Sequence, residues 1–271
     1  MTLFQALLLG IIQGLTEFIP VSSTAHLLIG QRLLGIESSE LIFAFIVIIQ
    51  LGTVFSLIIL FWNDLRSIVW AFFKNPFAES ADSPNRLAWY LILATIPAAL
   101  IGYFVRNEVE ALFQEPLLGA AIRLFSAAAL MASAERLGKR SRQLESMTWP
   151  DALQIGLFQI LAIFPGASRS GSTISGGMLR GFDRAASARF AFLMSIPIML
   201  GAVTYQLFNV IHVPEFLEFL PVLGLGFISA AIVGWLAIRW LLSYLNKNSL
   251  HNFAAYCSFL GLIVLTFHFL G

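Results

Sequence analysis

Of the 15 acidic residues in this 271-residue chain, only Glu17 falls inside an apolar segment; the others sit in loops or at segment ends. A carboxylate at membrane depth is costly unless it is paired, so such a group is read as functional by default, facing a cavity and an opposite charge or a metal. The cations in comparable surroundings are Arg123 and Arg169. Arg169 lies in PGASRSGST, where proline and small polar residues interrupt a second apolar segment, much as PVSSTAH interrupts the segment carrying Glu17. If the two interruptions meet, Glu17 and Arg169 share one site. The bland alternative is an ion pair that only locks two parts of the chain together.

Gln13 stands four residues before Glu17, so both side chains leave one helical face toward the same place. Pro20 ends that arm, and Val21-Ser22-Ser23-Thr24-Ala25-His26 reopens a helix, with Ser22 or Ser23 suited to the N-cap. The unpaired backbone N–H groups of such a break favour an anion, and the hydroxyls of Ser22, Ser23 and Thr24 extend the donor set. His26 falls one turn into this helix, as a nucleophile, a general acid or base, or a metal ligand; a satisfied structural histidine is the plain alternative.

The second break combines glycines (Gly166, Gly171), hydroxyls (Ser168, Ser170, Ser172, Thr173) and the Arg169 guanidinium. Glycines let backbone amides approach closely, and arginine grips phosphoryl oxygens through two parallel bonds, so the pattern reads as a phosphate cradle. Ser/Gly runs also pack membrane helices against each other, but an arginine at that depth has no packing rationale. His212, His251, His268 and Arg123 sit where such residues are ordinary. Arg123 is near enough to its segment's end to reach the membrane surface.

The elements that must position these groups follow from composition. The chain is 58% hydrophobic, 11% charged and has a mean hydropathy of +0.84, against roughly 25% charged residues in an average soluble domain. It reads as an integral membrane protein. A net charge of +1 carries no basic excess, so nucleic acid is excluded as a partner. The single cysteine, Cys257, excludes an intrachain disulfide and a thiolate zinc cluster. The first basic residue is Arg32, so the apolar N-terminus lacks the positive start of a cleaved signal.

Apolar runs long enough to span lie at residues 41–62, 87–105, 117–134, 190–210, 219–238 and 253–270. The two broken segments have arms too short to cross, which predicts re-entrant helical hairpins whose tips lie within the membrane. The fold expected is therefore an all-α polytopic membrane protein of six transmembrane helices plus two re-entrant hairpins. Arginine and lysine in the loops after residues 62, 134, 179 and 238 fall on one side, leaving Arg32 and Arg106 on the other, so the former side is cytoplasmic. This sidedness inverts the second hairpin relative to the first. Matching letters recur in order at a nearly constant offset: Gly10-x-x-Gln13 as Gly156-x-x-Gln159, Phe18-Ile19-Pro20 as Ile163-Phe164-Pro165, Ser23 as Ser168, and Leu51-Gly52 as Leu200-Gly201. A single membrane domain, residues 1–271, built of two inverted repeats (about 1–140 and 146–271), is expected.

QGLTEFIPVSSTAH paired with PGASRSGSTISGG resembles the bacterial undecaprenyl-diphosphate phosphatases, the bacitracin-resistance type, and the likeness extends over essentially the whole chain. The resemblance implies hydrolysis of the C55 isoprenoid diphosphate to the monophosphate and inorganic phosphate, which recycles the carrier lipid for peptidoglycan synthesis and confers bacitracin resistance. It also implies a divalent metal, Mg2+ or Ca2+, and a place in the bacterial inner (cytoplasmic) membrane with the active site facing the periplasm. Carried over residue by residue, the family's (E/Q)xxxE element falls on Gln13 and Glu17, its following Ser and His on Ser23 and His26, and its arginine motif on Gly166, Ser168, Arg169, Ser170 and Thr173. Gln13 is the uncharged option, which leaves Glu17 as the motif's one carboxylate. Some relatives carry an acid in the segment matching residues 45–52, where this chain has Ile46.

The expected roles are Arg169 and the two tips on the diphosphate, Glu17 with support from Gln13 on the metal, and His26, Ser23 or water at the terminal phosphorus. The prenyl tail stays in lipid. The assembly state is open, with a homodimer as one option. A transporter or flippase of a polyprenyl phosphate lipid is the rival from another class. The other membrane phosphatase pattern, with Ser-Gly-His and Ser-Arg-His, is absent, since no histidine occurs between His26 and His212.

Overall fold

The structure is a computed structural model that describes residues 1–37, 39–74, 84–105, 116–162, 168–210 and 215–270. In chain order the helices are α1 (Leu3–Thr16), α2 (Ser23–Leu33), α3 (Glu40–Leu60), α4 (Trp62–Lys74), α5 (Pro84–Phe104), α6 (Pro116–Leu137), α7 (Trp149–Leu161), α8 (Arg169–Leu179), α9 (Arg184–Val210), α10 (Leu220–Leu245) and α11 (His251–Leu270). Strand pairing among the described residues is confined to one bridge between Arg142 and Phe182.

Six of these helices, α3, α5, α6, α9, α10 and α11, are long and apolar enough to cross a membrane, and they coincide with the six expected spans. The chain is an all-α, multi-pass membrane protein. The pairs flanking the proline breaks are shorter: α1 and α2 have 14 and 11 residues, α7 and α8 have 13 and 11. At about 1.5 Å per residue none reaches the roughly 30 Å of a bilayer core, a length compatible with re-entrant arms. One segment differs from expectation. Residues after Trp62, read as a basic loop, form α4, whose Trp62, Val69, Trp70 and Phe73 are exposed while Ile68 is buried. Charged and aromatic residues at helical spacing give it the character of an interfacial helix, and it packs on α5.

The hairpin arms rest on spans of the opposite half. The first arm, α1, packs on α10, and the arm of the second hairpin, α7, packs on α5; α3 meets α9 and α6 meets α11. These exchanged pairings are compatible with an inverted repeat. Glycine permits the close approach in both arms. A Cβ on Gly10 would run into Ser229 and the Gly226 carbonyl of α10, and one on Gly156 would overlap the backbone of Ala94 in α5. Gly10 and Gly156 are the two residues that the sequence repeat pairs.

The tip of the first hairpin is anchored by Phe18, fully buried and set edge-on to Phe192 of α9 at 5.6 Å. An edge-to-face pair of this kind is worth about 0.5–1.5 kcal/mol beyond its buried area. It fixes the backbone beside Glu17.

At the side carrying most of the arginines, one buried carboxylate, Glu135, ties the two halves together, and another, Asp151, ties the second half to the linker before it. Glu135 accepts hydrogen bonds from Arg184 Nε (2.6 Å), Arg184 Nη2 (2.7 Å) and the Leu250 N–H (2.7 Å), and also pairs with Arg140. Asp151 accepts from Arg142 (2.7 Å), Arg180 (2.8 Å) and both the N–H and the hydroxyl of Thr148 (3.0 and 2.7 Å). Burial alone would raise the Asp151 pKa, but the donors from Arg142, Thr148 and Arg180 outweigh it and hold the carboxyl well below the usual carboxylate range. Arg123 departs from expectation here. It is buried at 4% exposure rather than reaching the membrane surface, because α2, α8 and α11 all pack on its helix, α6.

Candidate active site

The α1 helix starts from a capping box in which Thr2 Oγ1 accepts from the Gln5 N–H (3.2 Å) and Gln5 Oε1 from the Thr2 N–H (2.7 Å). It ends four residues before Pro20, with Glu17 at the C-cap still in helical geometry and its N–H bonded to the Gln13 carbonyl at 3.0 Å. That geometry aims Gln13 and Glu17 together, and Gln13 Nε2 donates to Glu17 Oε2 at 2.8 Å. The other carboxylate oxygen, Oε1, pairs with Arg169 Nη2. Glu17 is therefore a buried anion (8% exposed) with both oxygens engaged, one by a charge and one by an amide. Among the described residues, two buried atoms of the cluster have no partner: Gln13 Oε1 and Arg169 Nε.

Arg169 occupies the first position of α8. Ser168 caps that helix, its hydroxyl accepting from the Gly171 N–H at 3.3 Å and meeting the Ser170 hydroxyl at 3.1 Å. Ser170 Oγ reaches the Ile19 carbonyl at 3.5 Å, so the start of α8 touches the end of the first hairpin arm at a second point. Thr173 Oγ1 bonds back to the Arg169 carbonyl at 2.8 Å, within its own helix. Gly166 lies in the segment 163–167, outside the described residues.

Beyond Pro20 the chain turns sharply. The Val21 N–H bonds to the Ile19 carbonyl at 2.7 Å, and Ser22 takes the left-handed conformation (φ 68°). For a residue with a Cβ this costs about 1–2 kcal/mol. Ser22 does sit at the N-cap of α2, yet its left-handed backbone is not the extended one that capping uses, and its side chain makes no cap bond. The Ser22 carbonyl is held instead by His26, from the backbone N–H (3.3 Å) and from ring Nδ1 (2.9 Å). On its other side, His26 Nε2 lies 2.7 Å from the hydroxyl of Tyr256 in α11. His26 makes no hydrogen bond or ion pair with Glu17 or Arg169 among the described residues.

Residues 6–263 match the protein family described as bacitracin resistance protein BacA. The chain belongs to the BacA family. Curated relatives span nearly its full length under the name undecaprenyl-diphosphatase. One from Caldicellulosiruptor bescii is 41% identical over 272 residues (100% of this chain, 99% of the relative). Another, from Methanobrevibacter smithii, is 40% identical and covers 97% of each chain. A third, from Bacteroides fragilis, is 39% identical over 264 residues, again 97% of each.

Within this BacA-family chain the structure brings Gln13, Glu17 and Arg169 together and sets Ser170, itself bonded to Ser168, against Ile19. Ser22, Ser23, Thr24 and His26 share the start of α2, with Ser22 buried and Thr24 exposed. Tyr256 escaped the sequence reading because an aromatic residue in the last apolar span carries no local signal. Its neighbour Cys257 is buried, its thiol 3.6 Å from the Pro20 carbonyl, so α11 touches the break on both sides.

Proposed function

We propose that this chain hydrolyses undecaprenyl diphosphate to undecaprenyl phosphate and inorganic phosphate, the activity named in its curated relatives. The observation that carries the assignment to a site is the ion pair between Glu17 and Arg169, where two broken helices meet. In this reading the diphosphate displaces the carboxylate from Arg169, whose guanidinium grips phosphoryl oxygens through its planar fork. The first-turn N–H groups of α2 and α8 add donors where negative charge builds up. Either water, giving up a proton to His26, attacks the terminal phosphorus, or Ser23 Oγ or His26 attacks first and water then hydrolyses the phosphorylated side chain; in each route the bridging P–O bond breaks as the new bond forms. The prenyl monophosphate leaves with the bridging oxygen.

The residues present fit a divalent cation, Mg2+ or Ca2+, as shared ligation. No group of three or more His, Cys, Asp and Glu able to hold one occurs among the described residues. Glu17 once released by Arg169, together with the buried unpartnered Gln13 Oε1, would supply two oxygens. Substrate and water would complete the shell, which is how Mg2+ is commonly held. When bound, such an ion neutralises charge developing on the phosphoryl oxygens.

The basic loops support an orientation with those loops cytoplasmic; the inner membrane and a site open to the periplasm are the reading that the resemblance to this family favours. Recycling of the carrier lipid there accounts for bacitracin resistance, as the family is described. Incubating undecaprenyl diphosphate with purified protein in 18O-labelled water tests the reaction. Undecaprenyl phosphate and one labelled phosphate per lipid are expected; intact diphosphate moved between leaflets of a vesicle points to the rival transporter.

A further inference from the structure

His26 is held at both ring nitrogens, and the two bonds together fix its chemistry. The Ser22 carbonyl oxygen, 2.9 Å from Nδ1, can only accept, so Nδ1 carries the proton. In the neutral ring the lone pair then lies on Nε2, and the Tyr256 hydroxyl at 2.7 Å donates to it. A phenol can also accept. When Nε2 gains a proton, the same hydroxyl turns its lone pair to the new N–H, and the contact survives in both protonation states. The two rings lie nearly parallel (10°) with centroids 5.7 Å apart.

We infer that Tyr256 is the positioning residue of His26, holding the ring in place and engaging Nε2 while the Ser22 carbonyl sets the tautomer. The inference rests on the hydrolase reading, in which His26 moves a proton or attacks phosphorus. Its placement is economical in structure: Tyr256 and Cys257 are adjacent on α11, and they meet His26 on one side of the break and the Pro20 carbonyl on the other. The same contact reaches the left-handed turn at Ser22, because His26 bonds its carbonyl. A side chain without a hydroxyl at position 256 removes one of the two hydrogen bonds on the ring and leaves the Ser22 carbonyl to hold it alone.

The test compares wild type with Tyr256→Phe, which keeps the ring and removes only the hydroxyl. Histidine labelled with 15N, in detergent-solubilised full-length protein, reports the tautomer without any turnover, and His26→Gln assigns the resonance. The wild type should show Nδ1 protonated and Nε2 hydrogen-bonded. In the Phe variant the Nε2 signal should move toward that of an unbonded nitrogen, and kcat on undecaprenyl diphosphate should fall by about five- to tenfold with KM unchanged. Identical His26 resonances in the two proteins, or an effect on KM alone, overturn the inference. The expected resonances in a wild-type protein that releases no phosphate bear out the bond and overturn the hydrolase reading instead.

Discussion

Glu17 and Arg169 are 152 residues apart in the sequence and form an ion pair across two broken helices, with side-chain exposures of 7% and 20%. Neither hairpin alone contains a charge-compensated site. Glu17 without Arg169 is an unpaired carboxylate in an apolar setting, and Arg169 without Glu17 is an unpaired cation. Such a pair contributes little net stability, because desolvation offsets attraction, yet removing one partner strands the other. It is also an arrangement that a phosphate can enter by taking the place of the carboxylate.

The first prediction concerns the guanidinium. Arg169→Ala should lower activity by at least about 100-fold, a loss of the size seen when one preorganised transition-state donor is removed. It should also cost about 3 kcal/mol of stability by leaving Glu17 unpaired. Arg169→Lys should restore the stability, having the charge, and leave most of the activity missing, having no planar fork. Initial rates and thermal unfolding in one detergent separate the two effects; a Lys variant as active as wild type contradicts the role given to the fork.

Gln13 offers a second test. Gln13→Glu places another carboxylate beside Glu17 and should lower the concentration of Mg2+ needed for half-maximal activity. Gln13→Leu removes the free amide oxygen and should raise it by roughly 10-fold, in the range found for altered metal-site support. Metal titrations of both variants after EDTA treatment measure this, and unchanged curves place the ion elsewhere.

Much of this was legible in the letters because membrane depth penalises charge. A carboxylate and an arginine in apolar segments announce themselves, and the six spans follow from run length alone. The i, i+4 spacing of Gln13 and Glu17 sets both on one helical face, and there they meet. Other features left no local mark. Tyr256 is one aromatic among many in an apolar helix, and its meeting with His26 depends on how α11 settles against the first break. The left-handed turn at Ser22 could not be read either, since a serine there looks like an ordinary cap. The α4 helix was hidden by its charges, which suit a loop as well as an interfacial helix. Arg123 looked able to reach the surface because the sequence does not show which helices cover α6.

Asp151 gives a pH dependence with a definite sign. Its pKa is depressed in the folded chain, so the unfolded chain binds the proton more tightly. Its contribution is complete above the unfolded value, about 3.9, and is lost as pH falls through the lower folded value. Asp151→Asn should therefore lower stability by about 3 kcal/mol at neutral pH, with the gap to wild type closing below about pH 4. Unfolding midpoints of both proteins across that range decide it; a gap that widens on acidification contradicts the assignment.

The close approach of α7 to α5 is testable at one atom. Gly156→Ala puts a methyl against the Ala94 backbone, which cannot swing aside as a side chain can. A loss of about 1–3 kcal/mol is expected, the usual cost of overpacking. Gly201→Ala, where nothing among the described residues lies within 4 Å of the new Cβ, is the control and should be no less stable than wild type. Equal thermal midpoints for the two variants would remove the reason given for glycine at 156.

The central claim is that the paired hairpin tips carry out hydrolysis, and it is tested most directly by phosphate release from undecaprenyl diphosphate. Purified wild type, with and without EDTA, is measured beside Glu17→Ala and Arg169→Ala. The account predicts release by the wild type that EDTA suppresses and that both variants lack while remaining folded. Folded wild-type protein that binds the lipid and releases no phosphate would contradict it and favour a carrier of the intact diphosphate.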